Sequence, residues 1–447
     1  MDNESHSFPD GPEGHWLAGN YPEFRQDVLG FMEESAQTFG DLVGLKIFHM
    51  DVLLVNRPDL IQTVLQQSED KVRKPWDLRQ LKFFLGEGLL TSDGDNWQKS
   101  RTNIQPAFRH DTIHDYADHM TQEARKLLTE WSDGEERDIH REMASVTLQV
   151  IARSLFGSGV EDYTDVVGQS MRTIQEQFVE TMTAWVPMPF WVPTPGHLKA
   201  FWAKRNLDDV IHTMINRSRK NESRVLTVMD VLLEAQDENP DHFTDERLRD
   251  EVMTLFVAGH ETTALALTWT FYLLDDHTEV EQRILEELDA VLDGSQPEGD
   301  DFQELEYTRK VIKESMRLYP PAWGIGREVS EPMELEGYRI PEGTQIFMSQ
   351  YVMHRDERYF EEPEIFSPSR WDDEFSSELP KFAYFPFGGG PRVCIGAHFA
   401  MLEAVLILAT ILQDYRINVL EDRDIELLPA VTLRPKDGID VRLEKRL

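Results

Sequence analysis

The sequence is short of cysteine, of positive charge and of uninterrupted hydrophobic runs. Cys394 is the only cysteine in 447 residues, so no disulfide can close within the chain. That suits a reducing compartment, and a cytoplasmic location is expected. Lys and Arg number 45 against 82 Asp and Glu, a formal net charge of −37. Phosphate contacts need basic surface, so no nucleic-acid partner is expected. Only 14 of the cations are Lys, and Arg carries its charge on a fork that pairs well with carboxylates. Such a chain repels itself at low salt and is relieved by screening. The balance therefore reads as a halophilic-type acidic surface, with a merely acidic chain as the alternative. The most apolar long stretch, Val252–Leu274, carries His260 and Glu261 at its middle. A lipid-facing span tolerates neither cheaply, so a buried core helix is expected and no transmembrane anchor. The first twenty residues have no basic region followed by an apolar one, so no secretory signal is expected.

What is present fits a globular chain long enough to enclose a ligand: 40% of residues are apolar and 10% aromatic. Val43–Phe48 and Val52–Val55 read as a hairpin, and Pro58 opens a helix to about Gln67. Helical periods follow at Thr112–Trp131, Glu142–Leu155, Val166–Trp185 and Lys199–Ser218. Four prolines in Trp185–Gly196 forbid a helix there, leaving an apolar lid or a packed connection. Thr244 caps a helix to about Leu274, and others are expected at Glu279–Leu292, Gln303–Leu318 and Gly396–Gln413. Between Pro320 and Trp371 the texture turns to short strands, with GYRIPEGTQIFM read as a hairpin, and the tail reads as strands. The expectation is one domain over 1–447, mainly α with a smaller β-rich part at 40–60, at 320–350 and in the C-terminal strands.

The strongest local signal is FGGGPRVCIG, Phe387 to Gly396. Alone, a cysteine is most often a small buried hydrophobe. Here Gly388, Gly389 and Gly390 permit a tight turn, and Cys394 falls just before an apolar helix whose N-terminus lowers a thiol pKa. Those are the needs of a thiolate ligating haem iron. Gly396 lets the helix lie near the ring, Phe387 can cover the sulfur, and Arg392 can pair with a propionate. The rival reading, a glycine-rich phosphate loop, lacks the strand before and the Lys-Ser/Thr after it. AGHETT, Ala258 to Thr263, puts Gly and two Thr in a helix centre, as a core kink or a site. Trp97 and Arg101 share one helix face and offer an indole N–H and a guanidinium. Glu314 and Arg317 form ExxR; so do Glu246–Arg249 and Glu306–Arg309, so the motif alone means little.

In this order and spacing the motifs resemble the cytochrome P-450 family, of the prokaryotic soluble type that includes carotenoid and fatty-acid hydroxylases. The resemblance spans nearly the whole chain and implies the cytochrome P-450 fold. It implies haem b with the Cys394 thiolate as axial ligand, matched through Phe387, Gly390, Cys394 and Gly396. It implies Thr262 as the hydroxyl bonding the activated oxygen, Glu261 as its proton supply, and Gly259 as the residue leaving room for dioxygen. Trp97, Arg101, Arg392 and, more weakly, Arg327 become propionate partners. Glu314, Arg317 and Arg370 become a buried structural network. The implied activity is insertion of one atom of O2 into an apolar substrate such as a carotenoid, fatty acid or terpenoid. A peroxide-driven peroxygenase and a non-catalytic haem sensor are the alternatives. Leu81–Leu85, the 185–196 loop and Ala322–Ile325 should line the pocket. No flavin domain is appended, so a separate electron donor is expected, a ferredoxin with its reductase, docking near Lys99, Arg109 or Lys381. A monomer is expected.

Overall fold

The computed structural model describes residues 8–67, 71–157, 163–182, 190, 192–220, 227–240, 243–420 and 425–446. Half of the 185–196 loop, residues 185–189 and 191, therefore lies outside the described residues. The family of helices that build the core begins with α1 (Val28–Phe39), α2 (Pro58–Leu65), α3 (Gly94–Ile104) and α4 (Ala117–Thr129). It continues with α5 (Ile139–Phe156), α6 (Thr164–Met182), α7 (Pro195–Ser218) and α8 (Val228–Glu238). The last four are α9 (Asp245–Asp276), α10 (Thr278–Leu292), α11 (Glu306–Leu318) and α12 (Ala397–Asp414).

Local chemistry fixes several of these ends. Asp138 caps α5 by accepting the His140 N–H at 3.0 Å, and Thr227 with Asp230 forms a capping box on α8. Thr244 caps α9 by accepting the Arg247 N–H at 3.3 Å. Helix α7 starts four residues before the expected Lys199. Thr194 caps it and Pro195 takes the first turn, where a missing N–H does no harm. The period at Thr112–Trp131 divides into His110–His114 and α4.

Strands β1 (Leu42–Ile47), β2 (Met50–Val55), β8 (Gln345–Met348), β5 (Ile325–Val329) and β3 (Val72–Arg73) form one sheet in that order. Only the β2–β8 pair in it is parallel. A three-stranded sheet joins β4 (Glu136–Asp138), β12 (Asp440–Lys445) and β9 (Tyr415–Val419), and β10 (Leu427–Pro429) pairs with β11 (Leu433–Pro435). The hairpin expected in GYRIPEGTQIFM is not formed. Instead β7 (Tyr338–Ile340) turns back on β6 (Met333–Leu335), and β8 leaves for the larger sheet. The turn between β6 and β7 has positive φ at Glu336 (50°) and Gly337 (79°), the mirror-turn geometry that matches strand twist.

The core gathers around α9. Thirty-two residues make it roughly 48 Å long, and AGHETT does not interrupt it. Thr262 Oγ1 donates to the Ala258 carbonyl at 2.9 Å and Thr263 Oγ1 to that of Gly259 at 3.3 Å, so the side chains bond back without breaking the helix. Among the described residues α12 is the one helix long and apolar enough to cross a membrane, and most of it is buried. By that measure α12, rather than Val252–Leu274, is the more apolar.

Candidate active site

A cavity of about 1320 Å³ opens between α9, α3, the sheet edge and the loop before α12. It exceeds the roughly 300–1,000 Å³ of ordinary ligand pockets, leaving space for more than one occupant. Trp97, Arg101, Glu261, Thr262, Arg327, Phe387, Arg392 and Cys394 all line it. Residues spread over almost 300 positions of sequence are thus brought to one space.

The cysteine loop is built as a turn. The Cys394 N–H donates to the Phe387 carbonyl at 2.9 Å. Gly390 has φ +67°, and a Cβ there would collide with the Leu65 carbonyl oxygen, so only glycine fits. Gly396 is the N-cap residue of α12. Cys394 is accessible through the cavity and enclosed by protein elsewhere. That enclosure pushes its thiol up from the ordinary value, while the Gly396 N–H and Arg101 pull it down. The helix terminus therefore does not by itself lower the thiol, as the sequence reading expected; burial wins. A coordinated metal ion reverses that balance outright.

Cations crowd the same wall. Arg101 Nη1 donates to the Val393 carbonyl at 2.8 Å. Arg392 pairs with Asp93 at 2.7 Å and lies 5.3 Å from the Trp97 ring centre. Arg327 is 6% exposed, and its Nη1 donates to the carbonyl of its neighbour Gly326 at 2.8 Å. Burial first, then repulsion from Arg392, pulls its guanidinium down to about 10. It remains a cation at neutral pH, and among the described residues no carboxylate pairs with it. A buried charge in that state calls for an anion.

From α9, Ala258, Glu261 and Thr262 reach the cavity. Glu261 Oε1 is buried without a hydrogen-bond partner, and its Oε2 lies 3.9 Å from His260 Nε2. Gly259 does not face this space. A Cβ on it would press on the Ile151 side chain at 3.0 Å, so its smallness serves the close packing of α5 on α9. Ala258 is the small residue that leaves room in the cavity.

Behind the site, Glu314 and Arg317 are completely buried. Arg317 Nε and Nη2 donate to the two Glu314 oxygens at 2.9 Å each. Arg370 Nε and Trp371 Nε1 donate to the same carboxylate at 3.0 and 2.8 Å. The remaining Arg317 donor, Nη1, reaches the His354 and Pro363 carbonyls at 3.0 and 2.6 Å. In the other two ExxR copies the arginine turns elsewhere: Arg249 pairs with Asp208 and Asp250, and Arg309 donates to the Gln303 carbonyl.

Some expectations shift. Of Leu81–Leu85 only Leu81 lines the cavity; Phe84 and Leu85 enter the core, and Phe83 stacks on Phe190 at 5.7 Å. Ala322–Ile325 all line it. Two contributions escaped the sequence reading. One is the turn between β10 and β11, which carries no periodic signal. The other is Asp93, which stands at the N-cap position of α3 but spends its carboxylate on Arg392 and the Lys74 N–H. An Asp before a helix is ordinarily a cap, and only its neighbours reveal the other duty.

Comparison with known proteins decides the family. The family model for Cytochrome P450 matches residues 9–441. The chain belongs to the cytochrome P450 family. It is 32% identical over 434 residues to a pentalenene oxygenase of Streptomyces avermitilis, covering 96% of each. It is 34% identical over 421 residues to a cyclooctat-9-en-7-ol 5-monooxygenase of Streptomyces melanosporofaciens, covering 91% of each. The structure of retinoic acid-bound cyanobacterial CYP120A1 superposes with a TM-score of 0.86 at 24% identity, covering 98% of this chain and 100% of that one. The fold is thus the P450 fold, mainly helical. The chain is a haem-thiolate monooxygenase that uses O2 and an external electron donor, and Cys394 is its axial ligand. The residues present fit the haem. Its two carboxylates would supply what Arg327 lacks, and the cavity holds space beside the sulfur.

Proposed function

We propose that the chain works as one catalytic unit over residues 1–447 and hydroxylates an apolar terpenoid, carotenoid or fatty acid. The observation that carries this is the cavity itself. Cys394 and the Glu261–Thr262 pair open into one space otherwise lined largely by side chains such as Leu81, Leu89, Leu90, Phe178 and Val257. Two of the relatives are named for reactions of pentalenene and cyclooctat-9-en-7-ol, both cyclic terpenoids, so terpenoids head the panel to be tested.

Bound haem supplies the redox chemistry by which one oxygen atom of O2 enters the substrate and the other leaves as water. The chain's residues do the rest. Trp97, Arg101, Arg327 and Arg392 would hold the propionates, with Asp93 orienting Arg392. Phe387, Gly390 and Gly396 would keep the sulfur covered and the ring close. Thr262 Oγ1, which donates to the Ala258 carbonyl at rest, would turn its proton into the cavity, with Glu261 replenishing it. Glu314, Arg317 and Arg370 would hold the scaffold under the cysteine loop.

Electrons would come from a ferredoxin. Lys99, Arg109 and Lys381 are exposed, and among the described residues none of them pairs with a carboxylate. In a chain of net charge −37 such free cations are natural landing points for an acidic partner. We place the enzyme in the cytoplasm as a monomer, with a surface adapted to high salt. Stability that rises steeply from low to molar KCl supports that adaptation, and equal stability at both contradicts it.

Titrating the ferric protein with terpenoids, carotenoids and fatty acids tests the substrate reading. A low-to-high-spin shift with members of the panel is expected; no shift with any contradicts it. Thr262→Ala should release several times more hydrogen peroxide from O2, roughly tenfold. Turnover with peroxide alone, unchanged in Thr262→Ala, would instead favour a peroxygenase.

A further inference from the structure

Two buried polar atoms beside α9 lack hydrogen-bond partners, and their side chains interact electrostatically. One is Oε1 of Glu261, in the cavity wall. The other is Nε2 of His140, in the first turn of α5. His140 as a residue is half-buried, and of its two ring nitrogens Nε2 is the one that is buried and unpartnered. The charged groups that act on it are Glu261 and His260 from α9, Asp138 from its own helix cap, and Arg434 from β11. Burial holds the imidazole below its ordinary value, while Glu261 and Asp138 pull it back up.

The neighbours of the pair are committed elsewhere. Asp138 Oδ1 accepts the backbone N–H groups of His140 and Ile439 at 3.0 and 3.3 Å. Asp138 therefore lends charge and is not free to carry protons. His260 Nδ1 lies 2.9 Å from the Phe256 carbonyl; a carbonyl only accepts, so that nitrogen holds the proton. Thr147 Oγ1 donates to the His260 carbonyl at 3.0 Å and fixes α5 against α9. Buried polar atoms left open in a polar pocket are ordinarily joined by ordered water.

We propose that His140 feeds protons to Glu261: Nε2 of His140 gives its proton to water, and that water gives one to Oε1 of Glu261. Nδ1, the other ring nitrogen, takes up the replacement proton from outside and restores the imidazolium. No electrons move, and each proton passed inward is replaced from outside. His140 acts through Glu261 and is a positioning residue for proton delivery. This rests on the reading of Glu261 as the proton supply of Thr262.

Two measurements on the full-length, haem-loaded protein test it. The first follows the histidine ring signals by NMR in the diamagnetic ferrous carbonmonoxy form, with His140→Gln identifying the His140 signal. In Glu261→Gln the His140 midpoint should fall by about half a pH unit or more, because a neighbouring negative charge is gone. A midpoint that does not move overturns the proposal. The second measures the hydrogen peroxide released per O2 consumed, in substrate-free turnover with a ferredoxin and its reductase. The release should rise about threefold in His140→Gln and about tenfold in Glu261→Gln, with the double variant no worse than Glu261→Gln alone. If Glu261→Gln raises it and His140→Gln does not, the His140 route is wrong and the Glu261 reading stands. If Glu261→Gln leaves it unchanged, both fall. Should His140→Gln lose haem, His140→Asn carries the same measurements.

Discussion

Two clusters of buried arginines in this chain differ in one respect. Around Glu314, every donor of Arg317 reaches a carboxylate oxygen or a carbonyl, and Trp371 and Arg370 complete the shell. Around Cys394, Arg327 is also buried, at 6% exposed, but among the described residues no carboxylate pairs with it; Asp93 attracts it and pairs with its neighbour Arg392. A closed network is scaffold: it needs nothing from outside. An open one at a cavity wall is where we propose that the haem carboxylates bind. The same residue type, buried in both places, thus differs in what its surroundings leave it to bind.

The sharpest way to break this comparison is to remove an arginine from each cluster. Arg317→Leu takes the two Arg317 donors from the buried Glu314 carboxylate, leaving it Arg370 and Trp371, and should destabilise the protein by about 3–5 kcal/mol. Denaturant unfolding and loss of haem on purification would show it; near-wild-type unfolding would mean the network is ornamental.

Between the two clusters lies an intermediate case. Glu251 on α9 accepts the Leu89 N–H at 2.7 Å and the Ser100 hydroxyl, and Arg247 is 3.5 Å away. Burial still pushes its carboxyl from the ordinary 4.5 up to about 7. The folded protein thus holds a proton that the unfolded chain has released. Stability from this group is fully present below about pH 4.5 and is lost as pH rises through 7, by about 3 kcal/mol in all. Glu251→Gln should flatten that fall, read as unfolding midpoints at pH 5 and pH 8. An unchanged slope would show that Glu251 ionises normally.

The smaller effect belongs to Arg327. With the haem removed, Arg327→Leu should leave stability unchanged or raise it by about 1–3 kcal/mol, because an unpaired buried charge is gone. In the holoenzyme the same change should weaken haem retention, measured as transfer to apomyoglobin. Destabilisation of both forms would place Arg327 in a closed network like that of Arg317.

Long periodic segments were legible in the sequence because each helix reports its own period. Helices α5, α9 and α12 start and stop within a few residues of where caps and apolar spacing put them. What pairs with what was less legible. The GYRIPEGTQIFM segment holds two strands, as read, but their partners lie elsewhere, since pairing depends on distant residues. At the site, the motif residues line one cavity, while their immediate neighbours carried no signal of their own. Gly259 faces Ile151 and Ala258 faces the cavity, a difference of one helical position that spacing alone cannot resolve without knowing where α5 packs. Asp93 stands before one helix and His140 in the first turn of another, positions that draw no attention in a sequence. Their other duties exist only once Arg392 and Glu261 are brought beside them.

The central claim is that Cys394 holds the haem iron as a thiolate, and the carbon monoxide spectrum of the reduced protein tests it most directly. The wild-type protein should show the thiolate-type Soret shift, and Cys394→Ser should lose it while still folding. A reduced carbonmonoxy spectrum of the imidazole type in the wild-type protein, or an unaltered shift in Cys394→Ser, would contradict the account.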